Sequence, residues 1–336
     1  MASLVSAPYG GAFAGRRVFV SGAYGMLGAW LSAALLERGA AVIVLRRDER
    51  PGSALTLTGT EPRCTVVHGD LLDADLIERT IGEHEADTVF HLAAQTIVGT
   101  ANRSPRSTFE SNVRGTWNVL EACRLHGVER TVVAASDKAY GPSDVLPYTE
   151  EVPLRARHPY DASKAAADLI ARSYWHTYEL PVAVTRFANI YGGGDQNRSR
   201  LIPEAVAAVL EGRAPVVRSD GSPERDYLYV DDAVSAYLAI ADLLDAGAAG
   251  GEAFNGGSGV PRSVLEVIGA VCTAAGVDVT PDLRGTGTPA GEIDRQWVDP
   301  SKLTGLSGWQ PQVGLDEGLR RTIEWYRANP GCLAGA

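Results

Sequence analysis

A short β-branched and aromatic run, Val18-Phe-Val-Ser21, leads directly into Gly22-Ala-Tyr-Gly25-Met-Leu-Gly28 and then into an apolar stretch reaching about Arg38. Three glycines spaced by three, behind a strand and ahead of a helix, restrict what the chain can become. The first allows a sharp turn. The second lets a pyrophosphate approach the backbone, and the third lets helix and strand pack closely. The helix N-terminus adds unpaired N–H groups and the positive end of a dipole. Three glycines also fit an ordinary turn. Their place at the head of an alternating pattern favours a dinucleotide cradle.

That pattern continues. Strands are predicted at Ala41–Leu45, Thr65–Val67, Thr88–Leu92, Arg130–Ala135 and Val182–Phe187. Helices are predicted at Asp73–His84, Thr108–His126 and Pro159–Tyr178. Alternation of this kind implies an α/β fold of Rossmann type, a doubly wound parallel sheet. After about Tyr191 the texture changes to shorter helices with frequent Pro, Gly and Arg. We therefore expect a loose leader over residues 1–15 and a dinucleotide-binding domain over 16–190. A smaller mixed lobe over 191–336 follows, from which the chain can cross back.

With 336 residues, 45% of them hydrophobic, the chain has ample material for a core. A net charge of −10 argues against a nucleic-acid partner. The four cysteines show no metal-ligand spacing and read as reduced thiols. No run suggests a membrane span or a signal peptide, so a cytoplasmic enzyme without a metal is expected.

The spacing GxxGxxG, together with Gly69-Asp70-Leu71, His91-Leu-Ala-Ala94, Asn112 and Tyr160-x-x-x-Lys164, resembles the extended short-chain dehydrogenase/reductase family. The resemblance covers roughly residues 16 to 330. It implies a nicotinamide dinucleotide held by Gly22, Gly25, Met26, Leu27 and Gly28, with Asp70 and Leu71 by the adenine. Leu92, Ala93 and Ala94 would line the cofactor, with Asn112, Tyr160 and Lys164 completing its site. At the tip of the second strand stand Arg46 and Arg47, followed by Asp48. Arginine there pairs with a 2′-phosphate, so NADP is the expected cofactor; the alternative is NAD, with Asp48 as the ribose ligand.

Tyr160 and Lys164 lie four apart on one helix face. A nearby cation lowers a phenol's pKa, so Tyr160 can take a proton from a sugar hydroxyl as hydride leaves the same carbon. Ser136-Asp137-Lys138 follows the fifth strand. It resembles CDP-glucose 4,6-dehydratases, which implies Ser136 for orientation, Asp137 as general acid and Lys138 as general base. Asp137 capping a surface turn is the plainer reading. The scheme needs a protonated aspartic acid and a neutral lysine, which burial favours. Met26-Leu27, Ala139 and the double arginine depart from that type, so dehydration is better supported than cytidine.

On the substrate side, Asn189 and Arg225 match family positions that meet the sugar diphosphate, with Arg295 a second candidate; Arg200, in a segment resembling CDP-glucose 4,6-dehydratases, is expected to bind substrate, and Gln95 and Thr96 follow the HxAA run. The reading is a nucleotide-sugar 4,6-dehydratase of CDP-glucose type, forming a 4-keto-6-deoxy sugar. The alternatives are a 4-epimerase of the same fold, dehydration at a different carbon pair such as 5,6, and a redox-sensing regulator without turnover. The resemblance also implies a homodimer, paired through the helices near 108–125 and 160–178 as a four-helix bundle.

Overall fold

The computed structural model describes residues 13–287 and 292–334. Its centre is a seven-stranded sheet in which every neighbouring pair is parallel. Strands β1 (Arg17–Ser21), β2 (Ala41–Arg46), β3 (Thr65–His68), β4 (Thr88–His91), β5 (Arg130–Ala134) and β6 (Val182–Phe187) come in chain order. The seventh, Ala253–Gly256, lies beside β6. It comes from beyond residue 190, as does the buried helix Val230–Asp245 that packs beneath the sheet. Strand order reverses around β1, which pairs with β2 on one side and β4 on the other. A ligand crevice opens at such a switch point, outside the carboxyl ends of the strands.

Most of the expected leader lies outside the described residues. Its end does not behave as a leader: Phe13 is fully buried, 6.3 Å from the Phe90 ring and under the Arg130 guanidinium at 4.8 Å. The Gly15 N–H donates to the Gly39 carbonyl at 3.0 Å. An aromatic side chain this well covered belongs to the core.

The helix Pro159–Tyr178 has Pro at its first turn, where the missing N–H costs nothing. It buries Tyr160, Ser163, Lys164, Ala167, Asp168 and Ala171, a stripe of helical period. Asp168 anchors the stripe. Its carboxylate takes two hydrogen bonds from Arg186 on β6, at 2.7 and 3.0 Å, with both side chains buried. Arg186 is thus a structural residue rather than part of a ligand site.

The single helix expected over Thr108–His126 is instead three segments. Pro105–Phe109 begins three residues earlier, a π turn spans Glu110–Arg114, and an α-helix resumes at Gly115–Leu125. The wider turn carries the buried Asn112, and π turns often lie near functional sites. Among the described residues no helix is long and apolar enough to cross a membrane.

Candidate active site

The helix α1 (Met26–Glu37) starts at Gly25, which offers no side chain to cap it, so the first N–H groups face the crevice. Gly22 has φ +80°, and a Cβ there would lie 2.7 Å from the Ala93 nitrogen. A Cβ on Gly28 would lie 2.3 Å from the Gly22 carbonyl oxygen. The loop is therefore closed on itself and on the Leu92–Ala93 backbone, leaving an N–H-lined cradle of the kind a pyrophosphate fills. Met26 and Leu27 pack into the core behind it, and Ala94 continues the half-buried run. Gly28→Ala is expected to cost about 1–3 kcal/mol through overpacking. Urea unfolding would read this as a lower midpoint at unchanged slope, and an unchanged midpoint would contradict the packing described.

Asp70 shapes its own turn by accepting the Leu72 N–H at 3.0 Å, and the buried Leu71 gives its carbonyl to Asn118 at 2.8 Å. Asn112 is buried and fully engaged. It accepts the Gln95 N–H at 2.7 Å, and donates to the Gln95 carbonyl at 3.0 Å and to Ser163 Oγ at 2.8 Å. These bonds clamp the loop after β4 to the Tyr160 helix. Thr96 follows on that loop, half-buried.

The two arginines at the β2 tip already have partners. Arg47 pairs with Asp48 at 2.6 Å and stays exposed. Arg46 pairs with Glu49 and, at 3.0 Å, with Glu61. Glu61 carries no motif that singles it out in the sequence, and only the fold brings it here.

Ser136 caps a 3-10 turn over Asp137–Tyr140, accepting the Lys138 N–H at 3.2 Å and donating to Asp137 at 3.1 Å. That turn packs against the Tyr160 helix. Asp137 is only 4% exposed, and burial pushes its carboxyl up to about 6, while Lys138 and Ser136 pull the other way. Lys138 has Glu292 at 3.8 Å. Lys164 donates to the Ala134 carbonyl at 2.7 Å, and burial brings its ammonium down to about 8. Burial pushes the Tyr160 phenol up to about 12. The cation that lowers it is Arg200, with the Ser136 hydroxyl adding a hydrogen bond. Arg200 is itself held by Asp195 at 2.9 Å.

Asp137 has a testable consequence for stability. Its folded-state pKa lies above the usual 3.8, so the folded chain holds this proton more tightly than the unfolded chain. Stability is therefore lost as pH rises between those two values. Asp137→Asn removes the loss. The variant is expected to be about 1–3 kcal/mol more stable than wild type near pH 7. The gap should narrow toward pH ~4. Denaturant titrations giving the same difference at both pH values would contradict the buried carboxyl.

Beyond the sheet, Asn189 sits exposed on a short strand and donates to the Asp226 carbonyl at 3.3 Å. Arg225 binds the carbonyls of Glu224 and Asp294 at 2.8 and 3.0 Å and the Glu292 carboxylate at 3.3 Å. It also acts electrostatically on Asp137. Arg295 was expected beside it. The parallel register pairs Arg295 with Glu224 and Gln296 with Arg225. Side chains alternate faces along a strand, so Arg225 and Arg295 point to opposite sides. Arg295 is instead bound to Glu224 at 2.7 Å and stacked on Trp297.

The glycine loop at the switch point, the Tyr160–Lys164 helix and the Ser136–Lys138 turn packed against it are arranged as in the extended short-chain dehydrogenase/reductase family. Residues 18–257 match the model of the NAD dependent epimerase/dehydratase family, and the chain belongs to that family. It is 34% identical to a UDP-glucose 4-epimerase of Mycolicibacterium smegmatis, over 93% of this chain and 98% of that one. It is also 34% identical to a dTDP-glucose 4,6-dehydratase of the same organism, over 93% and 94%. A solved dTDP-glucose 4,6-dehydratase of Streptomyces venezuelae with NAD bound superimposes with a TM-score of 0.86 at 31% identity, covering 95% of this chain and 99% of that one.

Proposed function

We propose that the chain is a 4,6-dehydratase acting on a nucleoside-diphosphate hexose. The observation that carries this reading is Asp137: a buried carboxyl raised to about 6, one residue from Lys138, on a turn packed against the Tyr160 helix. A simple epimerisation has no use for a general acid and a base side by side. Elimination of water needs both.

A bound nicotinamide supplies a reversible hydride acceptor. Tyr160, as phenolate, takes the C4 hydroxyl proton as hydride leaves the same carbon, giving a ketone. Arg200 and Ser136 favour that ionisation against burial. The ketone acidifies the C5 proton, which Lys138 removes once its pair with Glu292 opens. The C6–O bond breaks, and Asp137 gives its proton to the departing hydroxyl. Hydride returns to C6 and a proton to C5. One water is lost and no oxidant is consumed.

Arg225, Arg200 and Asn189 are the groups proposed to meet the diphosphate, and Gln95 and Thr96 the sugar. Cytidine is the base suggested by the Ser136-Asp137-Lys138 run. Exposed Phe109, Trp117 and Leu169, on the helices expected to pair, support a homodimer. A 4-epimerase is the second reading, favoured by the Lys138–Glu292 contact, which suits a lysine used for binding.

The test is mass spectrometry of products formed from CDP-, UDP-, GDP- and dTDP-hexoses in deuterated water. Loss of one water with deuterium gained at C5 supports dehydration and names the nucleotide. Unchanged composition with C4 inverted and no deuterium at C5 overturns it.

A further inference from the structure

The corner where β2 meets the glycine loop holds a contact that the chemistry above does not use. Glu61 lies on a short turn just before β3, far from the catalytic residues in sequence. One of its oxygens accepts from the Tyr24 hydroxyl at 2.7 Å and from Arg46 Nη1 at 3.0 Å. The other accepts from Thr56 Oγ1 at 2.9 Å. Tyr24 belongs to the Gly22–Gly25 turn itself, and its ring lies 5.4 Å from the Arg46 guanidinium. Glu61 and Arg46 are largely covered, with 16% and 18% of their side chains exposed. The clasp joins the phosphate-binding loop to the strand tip that meets the adenosine ribose in such folds.

We propose that Glu61 makes this enzyme select NAD over NADP, by occupying with its own carboxylate the guanidinium that a 2′-phosphate would need. The inference rests on the dinucleotide reading of the glycine cradle, but not on which sugar reaction follows. A free arginine at this strand tip receives a phosphate through two parallel hydrogen bonds. Arg46 has one terminal nitrogen committed to Glu61 and the other to Glu49. Arg47 is committed to Asp48. These contacts set two cations against three carboxylates, so a phosphate carrying about two further negative charges meets net repulsion. Three donors to Glu61, the Tyr24 hydroxyl first among them, also hold its carboxyl below the usual range, which keeps it charged. The free ribose hydroxyls of NAD are donors and find acceptors in the same carboxylates.

Isothermal titration of the full chain with NAD+ and NADP+, without any sugar, tests this by binding alone. Wild type is expected to bind NAD+ at least about tenfold more tightly than NADP+. Glu61→Gln keeps the side chain's size and removes its charge. It should tighten NADP+ binding by about tenfold and move NAD+ by much less. Adding Arg46→Ala to Glu61→Gln should cancel that gain. Glu61→Ala, which vacates the same place on Arg46, should shift the ratio the same way, and it serves if Glu61→Gln fails to fold. Wild type binding NADP+ as tightly as NAD+, or a ratio that neither variant moves, would overturn the role of Glu61. Failure of wild type to bind either dinucleotide would overturn the cradle reading along with it.

Discussion

Tyr160→Phe is expected to lower turnover by about 10³-fold while leaving dinucleotide binding close to wild type. The ring is buried and packed, so losing one oxygen leaves its volume almost unchanged. What goes is the atom proposed to take the C4 proton. The residual rate should also lose its dependence on phenol ionisation. Burial holds that phenol at about 12, and Arg200 is the charge that brings it down. Arg200→Ala should therefore move the acid limb of the wild-type pH profile to higher pH, on top of any change in KM. A Tyr160→Phe enzyme with near-normal turnover would remove the tyrosine from the chemistry.

Lys138→Ala should separate the two halves of the reaction. In the proposed scheme oxidation at C4 uses Tyr160 and Lys164 but not Lys138, so a single turnover is expected to build up reduced nicotinamide. Release of water should fall by about 10²–10⁴-fold. Asp137→Asn should stall at the same stage, because the hydroxyl then leaves without a proton. In wild type the acid is used protonated. The elimination step is expected to slow as pH rises through about 6, the value to which burial raises Asp137. If both variants lose substrate affinity but keep turnover, Asp137 and Lys138 are binding groups and the epimerase reading gains.

The sequence was most readable where one periodicity runs unbroken. The helix Pro159–Tyr178 and strand β6 fall where pattern alone puts them, because a buried stripe and a β-branched run each repeat without interruption. The glycine cradle was equally plain, since close backbone approach leaves no room for a Cβ at Gly22 or Gly28. The π turn at Asn112 was not, because one extra residue per turn hardly disturbs the apolar pattern. Nor was the opposition of Arg225 and Arg295, which depends on the register of two-residue strands. Glu61 and Glu292 reach the site only through tertiary packing and have no local signature. Arg46 and Arg47 illustrate the limit best. Two adjacent arginines at a strand tip suggest a phosphate until the fold supplies their carboxylates.

The most direct test of the central claim is to follow a single hydrogen. A nucleoside-diphosphate hexose carrying deuterium at C4 would be turned over in ordinary water and its product analysed by NMR. Dehydration through Tyr160, Lys138 and Asp137 predicts deuterium at C6 of a 4-keto-6-deoxy sugar. Deuterium retained at C4 of a hexose with inverted configuration would contradict it.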